Sequence, residues 1–219
     1  MTQKILEANS LIFSKEKLFN FRTETIRIVR EFAANIPLGI SEEEGRNLLE
    51  DHFKKFGVEK FWHPTKFRIG KNTTKSFKDI SEPGVTLSVE DIFFIDIGPI
   101  YDGHEADYGE TFYRGLKFQN LSRASIDIFL KTAKIWKNEN LTGFALYERA
   151  SKLAAEKGLI LNHKMAGHRI GDFPHHVHYR GPLNEIDFHP IENAWVLEIH
   201  LIDESSGFGS FFEDILIGD

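Results

Sequence analysis

Acidic side chains stand where this chain is otherwise building an apolar core. In "FFIDIGPIYDGHEADYGETF", from Phe93 to Phe112, Asp96 follows an apolar run and Asp107 lies eleven residues further on. Glu198 in "AWVLEIHLI" and Glu213 in "SFFEDILI" are likewise flanked by core-type residues. A single strand carboxylate usually faces solvent. An isolated one buried among such neighbours is costly and must be paired or bound to a cation. Neither "IFFIDIGPIYDG" nor "AWVLEIHLID" contains a Lys or Arg to serve as partner. Two hairpins, each with a pair of acids and no basic partner, point to a divalent metal.

Strand parity fixes the geometry of the first pair. Asp102-Gly103 reads as a two-residue type I′ turn, which sets Tyr101 opposite His104, position 98 opposite 107 and 96 opposite 109. Asp96 and Asp107 then fall on one face as diagonal neighbours, their Cβ atoms about 7–8 Å apart. Gly98 and Gly109 take the facing positions and are expected to leave space for an ion. The pairing of Glu198 with Glu213 stays open, because "DESSGFG" between them is not a simple turn.

Histidines cluster in "AGHRIGDFPHHVH", at His168, His175, His176 and His178. Alone, such a loop is more often a surface feature. Beside four carboxylates, one neutral imidazole completes a five-ligand set of hard and borderline donors. That set suits Mn, Co, Fe(II) or Zn in an oxygen-rich two-metal centre. Such a centre makes hydroxide available near neutral pH, and further imidazoles can polarise a carbonyl or donate to an oxyanion.

The elements that must position these groups are legible in outline. Leu18, Phe21, Ile26, Val29 and Phe32 recur at helical spacing. "SEEEGRNLLEDHFKKFG" predicts a second helix, with a Ser41–Glu44 capping box and Gly57 at its end. Extended segments around "KFWHPTKFRIG" lead into the first hairpin. "SRASIDIFLKTAKIWKNEN" predicts a helix capped by Ser122, and "TGFALYERASKLAAEKG" another from a Thr142 cap to Gly158. The two terminal strands follow. Each half is thus two helices and then a hairpin, which predicts an α+β fold with internal pseudo-twofold symmetry.

The 219 residues are expected to form one domain, 1–219, since no linker-like stretch divides them. A net charge of −6 is a poor match to nucleic acid. The absence of Cys excludes disulfides, thiolate zinc sites and a Cys nucleophile. No apolar run suits a signal peptide or a membrane span, so a cytoplasmic protein is expected.

The order Asp96, Asp107, His168 in "GHRIG", Glu198 in "LEI" and Glu213 in "FFED" resembles the pita-bread metallopeptidases. That superfamily includes methionine aminopeptidases, aminopeptidase P, prolidase and creatinase. The resemblance runs from Phe61 to the C-terminus. It implies a pita-bread fold and two divalent ions. Asp96 would chelate one ion, His168 and Glu198 the other, with Asp107 and Glu213 bridging. Glu198 would also act as the base for a metal-bridging hydroxide, and His175 would contact the substrate amide and the tetrahedral intermediate. Peptide-cleaving relatives usually carry a His shortly before the first Asp ligand. "TTKSFKDISEPGVTLSVEDI" has none, so the upstream His63 is assigned to substrate contact. His175 is followed by His176 rather than Glu, and Glu198 by Ile199-His200 rather than Pro. The expected activity is therefore a metallo-aminopeptidase of the methionine or Xaa-Pro type. The alternatives are hydrolysis of another small amidic substrate and a non-catalytic binding module.

Overall fold

Capping chemistry sets the start of three of the four long helices. The computed structural model describes residues 2–58, 60–175 and 178–218. After a short α1 (Gln3–Leu6), α2 (Lys15–Asn35) begins where the Ser14 side chain accepts from the Lys17 amide. The Ser41–Glu44 capping box starts α3 (Glu42–Lys55) as predicted, and Gly57 follows its end at φ 83°. Then come β1 (Lys60–Phe61), β2 (Lys66–Ile69), β3 (Ile92–Ile97), β4 (Pro99–Tyr101), β5 (His104–Glu105) and β6 (Tyr108–Tyr113). The second half runs α4 (Gln119–Asn138), α5 (Gly143–Ala155), β7 (Ile160–Leu161), β8 (His168–Arg169), β9 (Trp195–Asp203) and β10 (Phe208–Ile215). Thr142 caps α5 through the Ala145 amide.

Helix α4 departs from expectation. It starts at Gln119 behind Phe118, which makes no side-chain cap. Ser122 lies inside the helix, where its hydroxyl donates to the Thr111 carbonyl at 2.7 Å. A long-range acceptor on β6 has displaced the local capping role that the serine would otherwise take.

The main sheet has the order β2-β3-β6-β10-β9-β7, with β8 also pairing β9, and β1-β4-β5 form a smaller sheet. Asp102 (φ 44°) and Gly103 (φ 72°) both adopt the left-handed conformation that a type I′ turn demands. The predicted register follows, with Tyr101 opposite His104 and Asp96 opposite Gly109.

Parity divides this sheet into two unlike faces. Phe93, Ile95 and Ile97 of β3, Leu197, Ile199 and Leu201 of β9, and Phe212 of β10 join one apolar core. Ile28 and Val29 of α2, Ile128 and Phe129 of α4, and Leu146 of α5 complete it. Each such side chain contributes about 1.5–3 kcal/mol on full burial. The alternate positions, among them Asp96, Glu198 and Glu213, point to the opposite face. Packing one face under helices therefore presents the acids together on the other. Among the described residues no helix is long and apolar enough to cross a membrane.

Arg169, 1% exposed, closes the N-terminal segment over β8 and β9. Its guanidinium donates to the carbonyls of Leu6 at 3.1 Å, Ala8 at 2.8 Å and Ile170 at 2.9 Å, and to that of Ala194. Burial lowers its pKa to about 10, so it remains charged at neutral pH. Arg169→Met keeps much of the volume but strips these acceptors of their donor. The variant should lose about 2–4 kcal/mol in urea denaturation. Limited proteolysis should begin near Leu6 to Asn9.

Candidate metal centre

The register builds a single transverse row of side chains across the sheet. Lys66 pairs Asp96, Asp96 pairs Gly109, Gly109 pairs Glu213, and Glu213 pairs Glu198. The facing of Glu198 and Glu213, left open by the sequence, is a direct cross-strand pair. Gly109 stands in the row because a Cβ there would lie 2.8 Å from Glu213 Oε1 and would strike the Phe211 ring. Asp107, two residues earlier, shares that face. The expectation that Gly98 and Gly109 leave space for an ion needs correction. Phe211 and Glu213 fill the space at Gly109, and at Gly98 the Trp62 indole packs in, where a Cβ would collide with the ring.

Two imidazoles meet the row from opposite chain segments. His168 on β8 places Nε2 2.8 Å from Asp107 Oδ2 and 3.9 Å from Glu198 Oε1. Its Nδ1 lies 2.6 Å from the Arg169 carbonyl. His63, in the β1–β2 connection, places Nε2 3.3 Å from Asp96 Oδ1 and 3.3 Å from Asp107 Oδ1. Its Nδ1 lies 3.1 Å from the Pro64 carbonyl. A carbonyl beside Nδ1 assigns the proton there and leaves Nε2 as the free donor atom. Two groups of potential ligands result, His63–Asp96–Asp107 and Asp107–His168–Glu213, each with its ligand atoms within 4.8 Å of one another.

His175 lies beside the row, its ring centroid 5.2 Å from that of His168. It is held by Glu105, whose Oε2 is 2.6 Å from His175 Nδ1 and whose Oε1 accepts from the His175 amide at 3.2 Å. Glu105 escaped the sequence reading. Its signal was the one that exposed Asp96, an acid in a buried strand without a Lys or Arg nearby.

The site holds more negative charge than it can keep without a cation. Burial raises Asp96 to about 6 despite nearby His63, and Glu198 to about 7 despite His168. Burial and the neighbouring carboxylates raise Glu213 well above its ordinary value. Asp107 runs the other way, because His168 and His63 outweigh its burial and hold it low. Burial opposes charging of both histidines, but the carboxylates raise each to about 9. Among the described residues, buried Asp107 Oδ2 and Glu213 Oε1 have no hydrogen-bond partner, although His168 Nε2 stands 2.8 Å from the former. Orphaned carboxylate oxygens and imidazoles oriented by backbone carbonyls fit divalent cations. These groups open on a cavity of about 810 Å³, also lined by Trp62, Phe77, Tyr179 and Arg180.

The remaining histidines take other parts. His200 is fully buried, its Nε2 donating to the Thr73 carbonyl at 2.7 Å and its Nδ1 accepting from Asn162 at 3.0 Å. Burial lowers it to about 4, and it is a structural residue outside the cavity. The His178 amide donates to the His175 carbonyl at 3.0 Å. His176 lies outside the described residues.

A model of metallopeptidase family M24 matches residues 23–217. Among solved structures, the chain is similar to an X-Pro aminopeptidase from Thermotoga maritima, with TM-score 0.73 and 22% identity over 95% of this chain and 63% of that one. It is similar to a prolidase from Pyrococcus horikoshii, with TM-score 0.72 and 21% identity over 93% and 60% of the two chains. A methionine aminopeptidase from Thermotoga maritima gives TM-score 0.71 and 14% identity over 94% and 98%. The chain thus spans less than two thirds of the first two and nearly all of the third. No curated protein sequence matches it. The mixed helix-and-sheet architecture is the pita-bread fold.

Without metal, Asp96, Glu198, Glu213, His63 and His168 all keep protons to higher pH folded than unfolded. For the histidines the stabilisation is complete below the ordinary 6.5 and vanishes as pH rises through about 9. The raised acids act in the same direction, with Asp96 titrating near about 6 and Glu198 near about 7. Asp107 has the opposite sign, but its effect lies below the ordinary 3.8. The chelated protein should therefore melt at falling temperature from about pH 5 to about pH 9. Added Mn or Co displaces those protons and should flatten or reverse the slope. Differential scanning calorimetry with and without EDTA reads this directly, and a flat profile in EDTA contradicts it.

Proposed function

The chain belongs to metallopeptidase family M24, a family of metal-dependent hydrolases, and from that premise we propose that it is a dinuclear-metal aminopeptidase. It cleaves an amide next to a free amino terminus, in the manner of a methionine or Xaa-Pro aminopeptidase. The observation that carries this reading is the buried row of Asp96, Glu213 and Glu198, with Asp107 set between two imidazoles. In this reading Asp96 holds one ion, His168 and Glu198 hold the other, and Asp107 and Glu213 are shared. Two Mn, Co, Fe or Zn ions there would supply Lewis-acid polarisation of the amide carbonyl and a water acidic enough to react near neutral pH.

The chain's own side chains supply the rest. Glu198, which lines the cavity 3.9 Å from His168 Nε2, is placed to accept a proton and return it to the departing amine. His175 is held through Nδ1 by Glu105 and lines the cavity wall, where its ring is positioned to contact the substrate amide and the developing oxyanion. Trp62 and Phe77 offer apolar surface in the same cavity for the residue ahead of the scissile bond. We take residues 1–219 as one catalytic unit working on peptides in the cytoplasm.

Protein reconstituted with Mn or Co should release the first residue from Met-Xaa or Xaa-Pro peptides, followed by mass spectrometry. Two bound metals with neither peptide class cut would move the assignment to another small amidic substrate. Asp107→Ala should abolish both metal retention and cleavage, because Asp107 is the carboxylate set between His63 and His168. Glu198→Gln should lower kcat by about 10²- to 10⁴-fold through loss of the proton acceptor. Wild-type turnover in either variant would sink these roles.

A further inference from the structure

The histidine expected to touch substrate is placed differently by the fold. His63 has 5% side-chain exposure, and both of its ring nitrogens are engaged within the protein. Nδ1 faces the Pro64 carbonyl at 3.1 Å, so the proton of a neutral ring belongs there. Nε2, left with its lone pair, faces an oxygen of Asp96 and an oxygen of Asp107, each at 3.3 Å. With a cation between them, that lone pair and the two carboxylate oxygens form one ligand set; without one, the carboxylates favour a proton on Nε2 in its place.

The two distances suit a shared cation. Ligand atoms about 2.1 Å from one ion stand about 3.0 Å apart across an octahedral edge and about 3.4 Å across a tetrahedral one. The two 3.3 Å separations at His63 fall between those values.

Asp107 also relates His63 to His168. One carboxylate oxygen faces His63 Nε2 and the other faces His168 Nε2. In both imidazoles Nδ1 faces the carbonyl of the next residue, Pro64 in one case and Arg169 in the other. Two matching halves thus flank one bridging-type carboxylate. Trp62 packs on His63 with ring centroids 4.4 Å apart, and Phe77 abuts it at 5.5 Å. The ring is braced in place, as a metal-ligating imidazole requires.

We propose that His63 is a sixth metal ligand, giving the ion at Asp96 its own imidazole as His168 does for the ion at Glu198. The inference rests on the two-metal reading of this site. It makes the centre one of two imidazoles and four carboxylates, in which Asp107 joins two nitrogen-bearing halves. Nitrogen at both positions shifts preference toward the borderline metals Co, Fe and Zn over Mn.

The test is a Co(II) titration of the chelated full-length protein, read by visible absorption and by calorimetry. Wild type should take up two ions. In His63→Gln and His63→Ala, one binding step should weaken by about tenfold to a hundredfold or more, with a changed visible spectrum, while the other step persists. His168→Ala should weaken the other step. Gln fills most of the imidazole volume, and circular dichroism and thermal melting establish that each variant is folded. Two Co(II) ions bound to folded His63 variants with wild-type affinity and spectrum would overturn the assignment, whatever happens to KM. A wild type that takes up no Co(II) would overturn the two-metal reading itself, and this inference with it.

Discussion

Asp107 is 1% exposed and lies between two imidazoles, and the rest of the site is arranged around its charge. A carboxylate at that depth cannot stay ionised unaided. His63 and His168 hold it charged, and its charge in turn raises both histidines. The adjoining Asp96, Glu198 and Glu213 are then crowded toward their neutral forms. Charge that is unstable without a cation favours metal binding, and here it is concentrated on one face of a sheet.

The sheet makes that row possible by separating two tasks. Alternate residues of β3, β9 and β10 bury apolar side chains under the helices, and the intervening ones carry the acids. Stability therefore comes from one face and chemistry from the other, along the same strands. Glycine is needed at 109 because Glu213 and Phe211 fill the space above it. On the flank, Trp62 occupies the side left open by Gly98 and braces His63. Phe77 also contacts the His63 ring.

Much of the fold was legible where interactions are local. The Ser41–Glu44 box, the Thr142 cap and the Asp102-Gly103 turn each involve residues a few positions apart, and each fixed its element as read. The start of α4 was misplaced because Ser122 bonds to Thr111 on a strand instead of capping its own helix. Glu105 was missed for a related reason: its partner, His175, is remote in sequence.

The sequence by itself determined which acids share a face. Parity and a two-residue turn place Asp96 beside Asp107 with no information from elsewhere in the chain. Ligand order, too, is a property of the sequence. Only the tertiary structure decided that Glu198 and Glu213 pair directly and that His63 meets Asp96 and Asp107. It also decided that the space beside Gly98 belongs to Trp62. These contacts depend on how separate segments come together over the sheet. Short-range periodicity carries no record of that docking, because it is fixed by the packing of the whole chain.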